Sequence, residues 1–163
     1  MKNLEQISYA KTVYGKEEID AVVKCLSEST QMGYYSRKFE REIAKLFSKE
    51  YCLYVNSGSS ALLIGVEAFD FPDGSEVITP ALTFSTSVGS IVKNNLVPVF
   101  VDVEPLSYNI DVSQIESQIT EKTVAILAPN LMGNLCDWPA IRKIADKHKL
   151  IVIEDSADTL GAT

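Results

Sequence analysis

The chain has 163 residues, 46% of them hydrophobic and 23% charged, a length that suits one domain with a real core and a composition unlike disordered or fibrous proteins. A formal net charge of -7, with the cations scattered among acids, argues against a nucleic-acid-binding surface, so any anionic ligand has to be held by local groups. Residues Met1 to Gln6 lack the apolar core of a signal peptide and no apolar run approaches a membrane span. Cys25, Cys52 and Cys136 are widely spaced with no metal-ligand pair, and together these features are expected of a cytoplasmic protein with reduced thiols.

In chain order, about fifteen irregular residues are expected before two amphipathic helices, the first carrying Ile19, Val22, Val23 and Leu26 after the acidic start Glu17-Glu18, the second carrying Phe39, Ile43, Leu46 and Phe47. Gly33 punctuates the pair. Tyr51 to Val55 reads as a short strand of β-favouring residues, and Ala61 onward as a helix. Asp70 to Ser75 is a turn by composition, Glu76 to Thr79 a strand closed by Pro80, and Leu96 to Val101 another strand. Asp111 with Gln114 three residues on predicts a capping box that opens a helix with Val112, Ile115 and Ile119 inside. Thr123 to Ala128 is a strand. Asp137 caps a helix that tolerates an early Pro139 and turns Trp138, Ile141, Ile144 and Ala145 inward, and Leu150 to Glu154 is the last strand.

Five strand candidates, mostly continuous apolar runs separated by helical stretches, predict an α/β fold: a mainly parallel sheet with helices on both faces. In such sheets the ligand crevice lies at the carboxyl ends of the strands, which singles out Asn56 to Ser60, Pro80 to Phe84, Pro129 to Asn134, and Asp155 to Asp158. The hydroxyls of Ser57, Ser59 and Ser60 fall at a helix N-terminus, where unpaired N–H groups and the macrodipole favour a phosphate, and Gly58 has no Cβ to keep an anion from the backbone. Each of these residues also has an ordinary reading: serine is a preferred N-cap, Phe84 suits a core, Asn134 can satisfy loop backbone, and Asp155 can be a helix-cap or surface aspartate after a strand. His148, late on an amphipathic helix beside Lys147 and Lys149, reads as structural or solvent-facing.

Taken together, the segments resemble the DegT/StrS-type family of pyridoxal-phosphate enzymes that act on nucleotide-linked keto-sugars. Asn56-Ser57-Gly58-Ser59-Ser60-Ala61 resembles the family's phosphate turn, Ser75-Glu76-Val77-Ile78-Thr79-Pro80 its next strand, and Val97-Pro98-Val99-Phe100-Val101-Asp102-Val103 with Tyr108-Asn109-Ile110-Asp111 the third. Ile153-Glu154-Asp155-Ser156-Ala157-Asp158 is similar to its acidic strand end. The resemblance implies an aspartate-aminotransferase-like large domain (fold type I) incomplete at its C-terminus, with residues 1–35 as an arm and helix and 36–163 as the first part of the cofactor-binding domain. It implies pyridoxal phosphate or pyridoxamine phosphate as cofactor, a nucleotide-linked 4-keto sugar as substrate, and a homodimer in the full-length form. It also implies transamination or C3 dehydration, as in deoxy- or amino-sugar and surface polysaccharide biosynthesis.

Residue by residue, the resemblance assigns Asp155 to the pyridine nitrogen, Phe84 to the ring face, Gly58, Ser59 and Ser60 to the phosphate, and Asn134 to the ring hydroxyl. Asp158, which the resemblance counts among the cofactor-binding residues, stands where most aminotransferases of the family carry His or Gln. The strings Leu131-Met132-Gly133-Asn134, Asn94-Asn95-Leu96-Val97-Pro98 and Ala157-Asp158-Thr159-Leu160-Gly161 are more similar to the branch that removes a 3-hydroxyl, which uses pyridoxamine phosphate and has histidine in place of the Schiff-base lysine. That lysine or histidine position lies beyond Thr163, so no catalytic residue is expected within the chain and the 163 residues alone are expected not to turn over. The competing expectation is a non-catalytic, doubly wound module that binds a phosphorylated ligand, complete and monomeric at this length, without the large exposed apolar surface that part of an enzyme would show.

Overall fold

The computed structural model describes residues 11–28, 31 and 33–162, in two compact units, Met1–Tyr54 and Val55–Thr163; the division falls inside the segment assigned from sequence to the larger domain. In the first unit, residues 11–15 have no regular structure, and the earlier residues of the expected irregular arm lie outside those described. Helix α1 spans Lys16–Glu28. Its start is fixed by Glu18, whose carboxylate accepts the Gly15 N–H at 2.7 Å, and acids in this first turn also complement the helix dipole. The periodicity of α1 is as expected, yet Ile19, Val22, Val23 and Leu26 remain 54–65% exposed. Helix α2, Tyr34–Leu46, buries only Ala44.

Tyr51 to Val55 corrects an expectation, because it is extended but is not a strand. A run of β-favouring residues becomes a strand only when a neighbour exchanges backbone hydrogen bonds with it, and no described strand pairs with this one. Local contacts hold it instead: the Tyr54 N–H donates to Glu40 Oε1 at 3.0 Å, and the Tyr54 ring meets Phe39 edge-on at 5.2 Å between centroids.

The second unit runs α3 (Gly58–Glu67), β1 (Glu76–Pro80), α4 (Ser85–Lys93), β2 (Val97–Val101), α5 (Val112–Ile115) with a following 3-10 turn, β3 (Thr123–Pro129), α6 (Trp138–His148) and β4 (Ile151–Asp155). The four strands form one parallel sheet in the order β2-β1-β3-β4. Alternate residues point to opposite faces, and the core divides accordingly. Ile78, Ile126 and Ala128 pack with Ile115, Ile141 and Ala145 of α5 and α6, whereas Val77, Ala125 and Leu127 pack with Val66 of α3 and Ile91 of α4. A register shift between Glu76 and Val77 lets Val124 join the second layer against the strand's alternation. Helices therefore cover both faces, as expected of an α/β doubly wound sheet.

Two helices differ from their sequence reading. The capping residue Asp111 accepts the Ser113 N–H at 3.0 Å, but Gln114 donates to the Asp111 carboxylate at 2.6 Å and accepts from the Asp102 N–H at 3.2 Å. The Asp111 N–H itself goes to the Asp102 carbonyl at 3.0 Å, so the box clips the helix to the end of β2. The helix lasts one turn, and Ile119 lies past it in extended backbone. Helix α4 is absent from the sequence reading because Ser85 to Ser90 carries small hydroxyl residues instead of an apolar stripe; its buried side is Ser87, Ser90 and Ile91. Among the described residues no helix is long and apolar enough to cross a membrane.

Candidate functional site

All the site residues singled out from sequence lie in the second unit. The turn before α3 is built by Ser57, which sits in extended backbone as the N-cap. Its Oγ accepts the Ser60 N–H at 3.1 Å and donates to Ser60 Oγ at 3.1 Å. Ser60 therefore serves the cap through its N–H, and the N–H groups of Gly58 and Ser59 donate to no described residue. A Cβ added at Gly58 would meet nothing within 4 Å, so the first turn opens onto free space, the condition an oxyanion needs to reach unpaired helical N–H groups.

The same sheet face carries Phe84 and Asp155. Helix α3 packs against α4, and Phe84 is the residue from which α4 starts. Phe84 is 68% exposed, so it is not the core residue that composition alone would favour. Asp155 ends β4 in the alternation of Ile153, which belongs to the α3 and α4 layer. Its Oδ2 accepts from Ser87 Oγ at 3.0 Å and its Oδ1 from the Ala157 N–H at 3.2 Å. Since Ser87 lies in the first turn of α4, its N–H donating to the Phe84 carbonyl at 3.0 Å, Asp155 and the start of α4 are brought together on one face.

Asp158 and Asn134 belong to the adjoining loops. The Asp158 Oδ2 accepts the Met132 N–H at 3.2 Å in a turn where Met132 and Gly133 both have positive φ, 53° and 84°. Asn134 donates from Nδ2 to the Ser107 carbonyl at 3.1 Å, which fastens the loop after β3 to the loop after β2. Its Oδ1 receives no bond from a described residue. The arrangement thus keeps the loop-holding reading of Asn134 alongside the ring-hydroxyl one.

Sequence reasoning missed Ser87, and it gave Asn130 no role of its own within the strand end Pro129 to Asn134. Asn130 is 1% exposed and accepts at Oδ1 from the Cys136 N–H (2.9 Å) and Trp138 Nε1 (3.1 Å), while its Nδ2 donates to Glu154 Oε1 (2.8 Å). A polar residue directly after a buried apolar strand was the available signal. Cys136 offers no reactive thiol: burial pushes it up to about 11. His148 lies at 2.7 Å from Glu116 Oε1, which also accepts from Lys147 at 2.6 Å, in agreement with a surface role.

The match to known proteins decides the lineage: residues 13–163 fit the model of the DegT/DnrJ/EryC1/StrS aminotransferase family. The chain belongs to that family. It is 35% identical over 94% of its length to a GDP-4-keto-6-deoxy-D-mannose 3-dehydratase of Yersinia pseudotuberculosis, covering 41% of that protein. It is 34% identical over its whole length to a GDP-perosamine synthase of Caulobacter vibrioides, covering 44% of it. Among solved structures, an E. coli GDP-4-keto-6-deoxy-D-mannose-3-dehydratase with bound hydrated pyridoxal phosphate superposes with a TM-score of 0.89 at 32% identity, over 94% of this chain and 41% of that one. The chain therefore spans about two-fifths of the length of these family members, and its parallel sheet is the corresponding part of the fold type I architecture.

The donor set fits the family cofactor. Two unpaired helical N–H groups with an adjacent hydroxyl suit a phosphate, an exposed ring suits a planar heterocycle, and a carboxylate held at both oxygens suits a protonated ring nitrogen.

Proposed function

We propose that the full-length protein is a pyridoxal- or pyridoxamine-phosphate enzyme of the cytoplasm that acts, as a homodimer, on nucleotide-linked 4-keto sugars by transamination or C3 dehydration. The observation that carries this reading is the two-point clamp on Asp155, from Ser87 Oγ and the Ala157 N–H, on the sheet face that also bears the open turn at Gly58 and the exposed Phe84. The names of the relatives, a GDP-sugar 3-dehydratase and a perosamine synthase, support the substrate class. The exposed apolar stripe of α1 supports a partner subunit, since contiguous apolar faces of this kind mark association surfaces, and it speaks against a complete monomeric binding module.

In this reading Gly58 and Ser59 hold the phosphate through their N–H groups, with the Ser59 and Ser60 hydroxyls completing the shell. Phe84 covers one ring face and excludes water from it. Asp155 keeps a proton on the ring nitrogen. The bound cofactor supplies an electron sink for a carbanion next to its amine nitrogen. Asn134 Oδ1 is free to receive the ring hydroxyl.

Of the two reactions we place C3 dehydration first. Asp158 and the Gly133-Asn134 pair are the features that set this chain apart from the aminotransferase pattern, and the Met132 N–H bond to Asp158 at 3.2 Å joins them into one loop unit. Incubating the full-length protein with pyridoxamine phosphate and GDP- or dTDP-linked 4-keto-6-deoxy sugars, with mass detection of the product, tests this. A product that has lost the 3-hydroxyl is expected, together with histidine at the Schiff-base position and no pyridoxal phosphate fixed by borohydride. A 4-amino product with a reducible lysine adduct refutes dehydration and leaves transamination, and failure to bind either cofactor overturns the reading as a whole.

A further inference from the structure

We propose that Ser87 is a positioning residue for Asp155, and through it for the plane of the cofactor ring; the inference rests on the function proposed above. Ser87 is fully buried, at 0% exposure, in a layer made of Val77, Ile91, Leu127 and Ile153. A serine inside a helix ordinarily returns its hydroxyl to a carbonyl of the preceding turn, as Ser90 does to the Ser87 carbonyl at 2.8 Å. Ser87 does not. Its Oγ crosses to the Asp155 Oδ2 at 3.0 Å, 68 residues away in sequence.

The consequence is geometric. One carboxylate oxygen is held from the helix layer and the other by the Ala157 N–H at 3.2 Å, so rotation of the carboxylate about its terminal bond is blocked. A carboxylate accepts well only near its lone-pair directions, so blocking that rotation fixes where a ring N–H has to lie. Ser87 also donates its own N–H to the Phe84 carbonyl at 3.0 Å. A single residue thus sets both the acceptor at the ring edge and the backbone that carries the ring shelf. The proton stays on the serine hydroxyl throughout, and no bond is made or broken.

The test uses the full-length protein and pyridoxamine phosphate as probe, with Kd from equilibrium dialysis and the induced circular dichroism of the bound ring as a reporter of its tilt. Variants are Ser87→Ala, Ser87→Cys, Asp155→Asn and the double variants; the cysteine fills the site with a much poorer donor, so a folding defect peculiar to alanine does not decide the result. A hydrogen bond to a charged group converts to about a tenfold loss of affinity in both Ser87 variants. The ring dichroism is expected to change, and the additional loss in the Asp155→Asn background should shrink to within about twofold, because the effect passes through the carboxylate. Wild-type affinity and dichroism in the Ser87 variants overturn the proposal, as does an undiminished tenfold loss in the Asp155→Asn background, which marks simple packing. If Asp155→Asn itself binds like wild type, the functional reading fails; if Asp155→Asn is impaired and the Ser87 variants are not, the positioning role alone fails.

Discussion

Gly58→Ala separates a glycine kept for the fold from one kept for a ligand. An alanine Cβ there meets nothing within 4 Å, and the residue is the first of α3, with no positive φ that would strain a side chain. Replacing glycine by alanine where the backbone allows it stabilises a protein by about 0.4–1 kcal/mol, chiefly by restricting the unfolded chain. The cofactor-free variant should therefore melt at or slightly above the wild-type temperature. If the Gly58 and Ser59 N–H groups hold a phosphate, as proposed, a methyl on Gly58 crowds the anion against them. Losing one hydrogen bond to a charged oxygen costs about 1.5–3 kcal/mol, a weakening of pyridoxamine phosphate binding by roughly ten- to a hundredfold. Thermal melts of the cofactor-free protein and equilibrium dialysis with pyridoxamine phosphate give both numbers from one preparation. Wild-type affinity in a stable variant would refute the phosphate role of the turn; a lowered melting temperature would refute the open cradle.

Three further outcomes are expected. Ser57→Ala removes the cap on the Ser60 N–H and should cost about 1 kcal/mol in urea unfolding; no change would show that the hydroxyl does not hold the helix start. Asn130→Ala leaves the Cys136 N–H and the indole N–H of Trp138 without their acceptor and should destabilise by roughly 2–4 kcal/mol, a loss below about 1 kcal/mol contradicting its place as the loop anchor. The Lys147 ammonium, and after it His148, holds Glu116 down to about 2 from an ordinary 4.5. A depressed carboxyl contributes stability that is present above its unfolded pKa and disappears as pH falls through the folded one. At low salt the wild type should therefore lose more stability than Glu116→Gln between pH 4.5 and 2, and identical acid limbs in the two proteins would count against the pairing.

Strands β1 and β3 were legible because a strand buried on both faces reads as an unbroken apolar run, Val77-Ile78 and Val124 to Ala128; the edge strands β2 and β4 stay partly exposed but carry the same signature in Val97 to Val101 and Ile151 to Ile153. Helix α6 was legible from its ends, since Asp137 takes the Ala140 N–H at 3.1 Å and Pro139 sits where no partner is needed. Tyr51 to Val55 misled because propensity describes one chain segment and a strand is a property of two. Helix α4 stayed hidden because its packing surface is serine: hydroxyls that are buried once bonded look like solvent-facing residues in a sequence. The candidate site was legible as a set of strand ends, and the bond between Ser87 and Asp155 was not, since no local spacing encodes a contact across 68 residues.

The end of β4 explains why two adjacent acids serve two different loops. Glu154 and Asp155 point to opposite faces of the sheet by the alternation of a strand. Glu154 accepts from Asn130 at 2.8 Å and from Ser156 at 2.5 Å on the side of α5 and α6, whereas Asp155 accepts from Ser87 on the side of α3 and α4. The two systems meet in the backbone, where the Asn130 N–H donates to the Asp155 carbonyl at 2.9 Å. Asp155 is thus fixed at its carboxylate by one helix layer and at its main chain by a residue whose side chain is anchored in the other. A mobile loop aspartate could approach a ring nitrogen but could not hold one orientation against it; an aspartate fastened from both layers of the sheet can.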